Sequence, residues 1–283
     1  MGKHALVVIG PAGSGKSTLC ATLAEHYGNS GRSVHVCNFD PAADELAYEA
    51  SLDLRELIDV DDAMSAKGLG PNGSMVFCME YLMSNPKWLD DQLGDYVDDF
   101  LIADMPGQIE VTSHIPVVPQ LAAQLEDSGY KVVVLFVLDG VAATADPGKF
   151  VSGCLMSLSS MVCFNCPFVN VLMKCDMLPE QFKEDELEHF AMCDFDHLNL
   201  NHLNPKWKAL TRSISGIITD FNLVSYQPMD ISNVDYVSNF ANQLDDLVQY
   251  SEDAEVRERD VDMDNDMGIA GLGGGEGGEF GHM

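Results

Sequence analysis

Gly10-Pro11-Ala12-Gly13-Ser14-Gly15-Lys16-Ser17-Thr18 is the stretch of sequence that decides the fold. It matches the phosphate-binding loop pattern of a glycine, four residues and Gly-Lys-Ser, and it lies between an apolar run and a helical pattern, as that motif requires. Backbone N–H groups of such a loop curl around phosphates, its lysine bridges the β and γ oxygens, and its serine hydroxyl binds Mg²⁺. The sequence therefore predicts a nucleotide site with these ligands: Gly13, Ser14, Gly15, Lys16, Ser17 and Thr18.

Short apolar runs alternate with helical patterns along the chain. They cover Ala5 to Ile9, Val34 to Phe39, Phe100 to Ala103, Val132 to Leu138 and Phe168 to Met173. Each run is nearly continuous, which is typical of parallel strands covered on both faces. We therefore predict an α/β fold of the P-loop NTPase type, with a doubly wound, mostly parallel sheet whose ligand lies beyond the carboxyl ends of the strands.

The 283 residues divide into two predicted parts. Residues 1–250 form one P-loop domain, in which residues 44–99 are a mostly helical insertion between the second and third apolar runs. Helix candidates in this insertion are Leu52 to Ile58 and Met75 to Leu93. Residues 251–283 hold ten acidic residues against two arginines and end in a glycine-rich run. This composition predicts a disordered tail, because too little apolar surface can be buried to offset the entropy of ordering.

The net charge of −30 makes electrostatic binding to nucleic acid or to an anionic membrane unfavourable. No apolar run approaches the length that spans a bilayer, and the first residues lack the features of a signal peptide. We expect a cytoplasmic protein with protein partners, without direct contact to nucleic acid or membrane. The eight cysteines fall in apolar stretches, as reduced thiols do.

Acidic residues follow two of the apolar runs. Asp104, in Phe100-Leu-Ile-Ala-Asp104-Met-Pro-Gly107-Gln108, is predicted to bind the water shell of Mg²⁺. In the same stretch, the Gly107 amide is placed to sense the γ-phosphate and Gln108 to orient the attacking water. Asp40, in Asn38-Phe-Asp40-Pro-Ala42, is predicted either to join the metal shell or to polarise water as a base. An Asp before Pro is also a common turn former.

Lys174-Cys-Asp176 follows the apolar run Phe168 to Met173. A Lys-x-Asp unit at the end of such a strand reads guanine: its carboxylate accepts two hydrogen bonds from the base, and the lysine stem packs on the ring. Adenine lacks this pair of donors. The unit therefore favours GTP over ATP.

Two alternatives to a GTP-hydrolysing switch remain open. A P-loop kinase would pass the phosphoryl group to a small acceptor, but such enzymes need several arginines to neutralise the transferring charge. Only Arg32, Arg55 and Arg212 lie outside the acidic tail, which also leaves few candidates for a built-in arginine finger. A non-catalytic nucleotide-binding assembly factor is the other alternative, and the joint presence of Ser17, Asp104 and Gln108 weighs against it.

Together with Gly70-Pro71-Asn72-Gly73 inside the insertion, these motifs closely resemble those of the GPN-loop GTPases, from Lys3 to about Tyr250. Alone, Gly-Pro-Asn-Gly would predict only a turn before a helix, capped by Asn72 or Ser74. The flanking residues, with Cys78-Met-Glu-Tyr-Leu82, are most similar to the third eukaryotic branch of that family.

The resemblance implies a dimeric GTPase that uses Mg²⁺ with GTP and GDP, and in which Asn72 of each subunit reaches towards the γ-phosphate of the other. It also implies a heterodimer with a paralogue, or a homodimer, that assembles RNA polymerase II and brings it into the nucleus. Family members usually carry Thr or Asn at the position of Met173, so one hydrogen bond to the base or loop is missing here. Gln227-Pro-Met-Asp230 is the candidate for a further backbone contact to the base.

Cys163 and Cys166 have a zinc-like spacing. Structural zinc needs four ligands and the sequence shows no second pair, so we predict buried thiols. The eight histidines are dispersed in sequence, and none is given a function.

Overall fold

The computed structural model describes residues 2–94, 100–108, 116–179, 182–201 and 204–249. Within these ranges, all paired strands run parallel in one sheet. The strands are β1 (Lys3–Ile9), β2 (Val34–Asn38), β3 (Leu52–Asp53), β4 (Phe100–Asp104), β5 (Tyr130–Asp139), β6 (Phe168–Met173) and β7 (Tyr226–Pro228). The α/β fold predicted from the apolar runs is confirmed.

The strand order β3-β2-β4-β1-β5-β6-β7 places β1 in the middle of the sheet. Val8 of β1 lies opposite Asp104 of β4 on one side and opposite Leu135 of β5 on the other. β2 and β3 lie on one side of β1, with β4 inserted next to β1, whereas β5, β6 and β7 follow outward on the other side, so the direction of winding changes at β1. Such a reversal opens the crevice where doubly wound sheets bind their ligands.

Helices cover both faces of the sheet. They are α1 (Lys16–Asn29), α2 (Val60–Lys67), α3 (Pro71–Met83), α4 (Pro86–Leu93), α5 (Val117–Asp127), α6 (Gly140–Ala145), α7 (Pro147–Met161), α8 (Glu184–Ala191), α9 (Pro205–Phe221) and α10 (Val234–Val248). Leu6 and Val8 pack into a core with α1 and α10, whereas Val7 and Ile9 pack into a second core with α3, α5 and α7. Every residue of β1 from His4 onward is buried for this reason, which explains the continuous apolar run.

The prediction of a helix over Leu52 to Ile58 is wrong. Leu52 and Asp53 form β3, which pairs with β2, and a single 3₁₀ turn follows over Leu54–Glu56. Leu52 and Leu54 are both buried, a spacing of two that suits a strand better than a helix. Asp53 ends the strand by accepting a hydrogen bond from the N–H of Arg55.

The single helix predicted over Met75 to Leu93 is two helices. α3 begins earlier, at Pro71, and ends at Met83, and α4 begins at Pro86. Proline has no N–H donor and suits the first turn of a helix but not its interior, so Pro86 separates the two. The edge strand β7 was not predicted, because it is short and includes Pro228.

Some predictions fall on other parts of the chain. The tail 251–283, residues 95–99 of the insertion and residues 109–115 after Gln108 lie outside the described residues. No helix within the described ranges combines the length and the apolar character needed to cross a bilayer. Cys163 is exposed and Cys166 only partly buried, so the expectation that both thiols are buried is wrong.

Candidate nucleotide site

The loop between β1 and α1 depends on its glycines. Gly10, Gly13 and Gly15 have φ angles of 145°, 74° and 101°, a region that side chains rarely adopt. A Cβ atom on Gly10 would lie 2.3 Å from the carbonyl oxygen of Val137 in β5. The loop thus turns tightly against the sheet and leads directly into the amino end of α1, where an anion is favoured.

Lys16, the first residue of α1, points back into its own loop. Its side chain donates a hydrogen bond to the carbonyl oxygen of Pro11 at 3.1 Å, and the residue is only 8% exposed. Burial lowers the pKa of this ammonium group, while the negative charges of Asp104 and Asp40 oppose that effect. The loop therefore holds a cation close to two carboxyl groups.

Asp104 ends β4 and is 2% exposed. Its Oδ2 accepts a hydrogen bond from the Tyr48 hydroxyl at 2.9 Å, whereas its Oδ1 is buried without a hydrogen-bond partner among the described residues. Burial raises the pKa of Asp104, and the neighbouring Ser17 and Tyr48 hydroxyls lower it only in part. An unpartnered carboxylate oxygen beside a serine hydroxyl is a donor set that suits Mg²⁺. The residues present thus fit the predicted ion.

Asp40 lies just beyond β2. Its N–H donates to the side chain of Asn38, and its Oδ1 accepts from the N–H of Ala42 at 2.9 Å. Burial raises the pKa of this carboxyl group, and the positive charges of Lys16 and Arg55 reduce the rise. Asp40 is therefore close enough to Lys16 to interact with it, but its role as metal ligand or base stays a prediction.

Gly107 packs directly against the phosphate loop. A Cβ atom there would lie 2.7 Å from the Cα and 2.9 Å from the N atom of Ala12. Only a residue without a side chain permits this approach, which brings the Asp104–Gln108 segment to the loop. Gln108 is partly buried, and its water-orienting role stays a prediction.

Lys174 connects the end of β6 with the phosphate loop. The residue has a φ of 64°, and its Nζ donates to the carbonyl oxygen of Gly13 at 2.7 Å and to Oδ2 of Asp139 at 2.6 Å. Burial alone would raise the pKa of Asp139, but the hydrogen bond and charge of Lys174 outweigh it and hold that pKa below its ordinary value. Both strand ends are thereby tied to the loop.

Asp139 and Tyr48 were missed by the sequence analysis. Asp139 directly follows the apolar run Val132 to Leu138. The same rule that identified Asp104, an acidic residue at a strand end, would have found it. Tyr48 lies in an irregular segment of the insertion, where no sequence signal indicates a partner of Asp104.

The base-reading candidates lie together at the end of β6. Asp176 is exposed in a 3₁₀ turn. The N–H of Cys175 donates to the carbonyl oxygen of Met229, and the N–H of Met229 donates to that of Leu172. The predicted contact segment 227–230 is therefore hydrogen-bonded to the Lys174–Asp176 turn. Base recognition by Asp176 stays a prediction.

Met173, just before this turn, is 1% exposed. Its terminal methyl group would be 3.4 Å from a Cβ atom built on Gly15, so it packs beneath the phosphate loop. The side chain at this position thus supports the loop by packing instead of by a hydrogen bond.

Asn72 lies in the first turn of α3 and is exposed. Gly70 is the N-cap of this helix, and Ser74 is buried, so the alternative in which Asn72 or Ser74 caps the helix is wrong. The Asn72 side chain makes no hydrogen bond to any described residue of its own chain. Its predicted role across a dimer stays a prediction.

Two of the three arginines outside the tail are held in ion pairs. Arg32 pairs with Asp245 at 2.5 Å, and Arg55 pairs with Asp53 at 2.5 Å. Arg212 lies exposed on α9. None of these three hydrogen-bonds to the phosphate loop.

The chain is similar to known proteins along most of its length. The family model described as "Conserved hypothetical ATP binding protein" matches residues 8–250. A protein of Dictyostelium discoideum named GPN-loop GTPase 3 is 42% identical over 267 residues, which cover 93% of both chains. One of the same name from Saccharomyces cerevisiae is 36% identical over 93% of this chain and 99% of its own length. The crystal structure of a GTPase in apo form from Pyrococcus abyssi has a similar fold, with a TM-score of 0.69 at 23% identity, covering 86% of this chain and 97% of that one.

Proposed function

Because the chain belongs to the GPN-loop GTPase family, we propose that it binds GTP with Mg²⁺, hydrolyses it, and acts as a dimer in the assembly and nuclear import of RNA polymerase II. The observation that carries the nucleotide part is the convergence of Lys16, Asp104 and Lys174 on one loop at the switch point of the sheet. The dimer and the polymerase rest on the family resemblance.

Ser17 and Asp104 would hold the Mg²⁺ ion, with Asp40 as a further oxygen donor. When bound, Mg²⁺ neutralises charge on the β and γ phosphates. The chain itself binds phosphate through the N–H groups of residues 13–18 and the Lys16 ammonium, which exchanges the carbonyl oxygen of Pro11 for phosphate oxygens. Desolvation in this buried site strengthens that interaction relative to water.

The attacking water needs a group that orients it and a base that accepts its proton. Asp40, whose pKa is raised by burial, is the candidate base. Gln108, carried by the segment packed on the loop at Gly107, is the candidate that orients the water, since a neutral amide does not accept the proton. The Gly107 amide is suited to donate to the γ-phosphate. These groups act by positioning and by electrostatics, which dominate phosphoryl transfer.

The family description names ATP, whereas the relatives are named GTPases. Asp176 favours guanine, because an exposed carboxylate in a fixed turn can accept from the two adjacent donors of that base. The hydrogen bonds between Cys175, Met229 and Leu172 fix this turn beside residues 227–230. A kinase remains the second candidate only if adenine nucleotides bind equally well.

A dimer would supply a further group at the γ-phosphate. Arg32 and Arg55 are held in ion pairs and Arg212 makes no hydrogen bond to the phosphate loop, so none of the three acts there as an arginine finger in this structure. The exposed Asn72 at the start of α3 offers a neutral donor and acceptor. The second subunit is a paralogue or another copy of this chain.

The net charge of −30 is compatible with a basic client such as a polymerase subunit, and with work in the cytoplasm followed by passage into the nucleus. Affinity purification from cells, with partners identified by mass spectrometry, tests this part. Recovery without a paralogue and without polymerase subunits would contradict the proposed client.

Titration calorimetry with GDP, GTP, ADP and ATP in the presence of Mg²⁺ tests the nucleotide. We expect strong preference for the guanine pair, and loss of that preference in Asp176→Asn with the phosphate loop intact. Phosphate release with GTP alone, without any acceptor, separates hydrolysis from kinase activity. Equal affinity for ATP and GTP would overturn the guanine assignment.

A further inference from the structure

A cavity of about 460 Å³ lies between the α6–α7 connection and α8. Thr144, Ala145 and Pro147 line one side of it, and residues of α8 and of the segment after it line the other. No residue predicted for the nucleotide site borders this cavity. Its polar wall is formed by Glu186, His189, Asp194 and His197.

The turn that ends α8 fixes two of these side chains relative to each other. The N–H of Cys193, with φ of 53°, donates to the carbonyl oxygen of Phe190, and that of Asp194 donates to the carbonyl oxygen of His189. This pair of bonds is a Schellman motif, in which the residues at the places of His189 and Asp194 usually make an apolar contact. Here a histidine and an aspartate occupy those places. The backbone of the turn therefore holds the side chains of His189 and Asp194, both of a type that can bind a metal, next to each other.

The two carboxylate oxygens of Asp194 contact different partners. Oδ1 accepts a hydrogen bond from the N–H of Asp196, which starts the 3₁₀ turn Phe195–His197. Oδ2 lies 3.2 Å from Nδ1 of His189 and 3.2 Å from Nε2 of His197. The backbone contact orients the carboxylate, as such supporting bonds do for metal ligands.

Aromatic side chains pack the two segments that carry His189 and His197 against the core. Phe190, next to His189, packs on Phe150 with ring centroids 4.9 Å apart, and Phe195, two residues before His197, packs on Phe150 at 5.7 Å. Phe150 is fully buried. Both histidine-bearing segments therefore rest on one rigid core residue, which is the support a preformed site needs.

The spacing of the three side chains suits one ion. Candidate ligand atoms of His189, Asp194 and His197 lie within 4.8 Å of one another, and among the described residues no other group of three or more such side chains meets this criterion. In a tetrahedral zinc site with bonds of about 2.0–2.2 Å, neighbouring ligand atoms lie about 3.4 Å apart. The two N···O distances of 3.2 Å are close to that value.

We propose that His189, Asp194 and His197 bind one divalent transition-metal ion of the Zn²⁺ class. Two imidazole nitrogens and one carboxylate oxygen are a ligand set that selects Zn²⁺ over Mg²⁺ and Ca²⁺, which prefer oxygen ligands only. The two rings are stacked with centroids 3.5 Å apart, so one must turn to place its lone pair on the ion. The His197 side chain is 56% exposed and has room to do so.

Three protein ligands would leave the fourth tetrahedral position of such an ion open, and all three line the same cavity. Glu186 is one helical turn before His189 and lines the same cavity. The fourth position is therefore taken by water or by Glu186.

Co²⁺ titration of the full chain, stripped of metal and nucleotide and free of Mg²⁺, tests the site. We expect one Co²⁺ per chain, with the visible absorption of a tetrahedral ion and no thiolate charge-transfer band. Zn²⁺ should displace it. Asp194→Asn keeps the acceptor for the Asp196 N–H, and we expect it to weaken binding at least about 100-fold, beyond the loss typical of a supporting residue. His197→Gln should do the same.

Two control variants test whether the ion binds at a histidine or a thiol outside the proposed site. His26→Gln removes a histidine of α1 outside the cluster and should leave the titration unchanged. Cys193→Ser tests the neighbouring thiols, because Sγ of Cys193 lies 3.8 Å from Sγ of Cys154. Binding that is lost in Cys193→Ser and retained in Asp194→Asn would overturn the proposal.

Thermal unfolding separates loss of binding from loss of folding. Zn²⁺ should raise the Tm of the wild-type chain by mass action. The Tm of Asp194→Asn should stay near that of the metal-free wild type and should not respond to Zn²⁺. An equal Zn²⁺-induced rise in both proteins would show that the ion binds elsewhere.

Discussion

The Nζ atom of Lys174 lies 2.6 Å from Oδ2 of Asp139 and donates a second hydrogen bond to Gly13. One side chain thus joins the end of β5, the end of β6 and the phosphate loop. This contact connects the turn predicted to read the base with the loop predicted to bind phosphate.

We expect Asp139→Ala to weaken GTP binding about tenfold, because Lys174 loses the charged partner that holds its stem in place, and such hydrogen bonds are worth about 1.5–3 kcal/mol. Asp139 also caps α6 by accepting from the N–H of Ala142. Asp146→Ala is the matched control, since Asp146 caps α7 in the same way through Gly148. Calorimetry should show the affinity loss only in Asp139→Ala. An equal loss in both variants would assign the effect to helix capping.

Asp104→Asn should stabilise the nucleotide-free protein while removing Mg²⁺-dependent nucleotide binding. The pKa of Asp104 is raised in the fold by burial, so its ionised form opposes folding at neutral pH. A neutral amide avoids this, and a gain of about 1 kcal/mol would raise the Tm by roughly 2–4 °C in a domain of this size.

The raised pKa of Asp104 also determines how the stability gained in Asp104→Asn depends on pH. Because the folded state binds this proton more tightly than the unfolded state, lowering the pH through the raised pKa of Asp104 stabilises the wild type but not Asp104→Asn. The Tm difference between the two proteins should therefore shrink towards acid pH. A difference that grows on acidification would show that the carboxylate stabilises the empty site.

Met173→Thr should tighten guanine nucleotide binding by about 1 kcal/mol, the net value of one recovered hydrogen bond. The structure adds a cost, because the buried methionine packs beneath Gly15 and a smaller residue leaves a cavity. We therefore expect tighter binding together with a lower Tm. Met173→Leu keeps the packing without a hydrogen-bonding group and should change neither quantity by much. Weaker binding in Met173→Thr would show that packing alone matters.

Asn72→Ala should leave GTP affinity within a few fold and lower turnover in the assembled dimer. An amide positions the water or γ-phosphate without adding charge, so its benefit appears in the transition state, at or below about 100-fold in rate. Mixing Asn72→Ala subunits with Lys16→Ala subunits should restore one working site if the loop acts across the interface. A mixed dimer as inactive as either variant would contradict action in trans.

The sheet was predictable because both of its faces are covered. Runs such as Val132 to Leu138 are apolar at every position, and that pattern needs no knowledge of tertiary contacts. The phosphate loop was predictable because glycine is the only residue that suits its backbone at Gly10. Asp104 was predictable as a candidate site residue because it is an acidic residue at the end of an apolar strand.

Contacts between distant segments could not be predicted in this way. Tyr48 meets Asp104 across 56 residues, and nothing in the sequence near Tyr48 indicates it. The sequence did not indicate that His189 and His197 lie close together. Their proximity depends on the turn between them, in which Cys193 adopts a left-handed backbone conformation. A strand of two residues, β3, is shorter than any pattern that periodicity can detect.

The hydrogen bond from Lys16 to the carbonyl oxygen of Pro11 bears on how the loop would accept a ligand. The buried ammonium group has an acceptor within its own loop, so its charge is not left unsatisfied. In the function proposed above, an incoming phosphate would replace this acceptor, and one oxygen would be exchanged for another without refolding of the loop. The affinity measured for a nucleotide would then be the difference between two sets of contacts to one ammonium group.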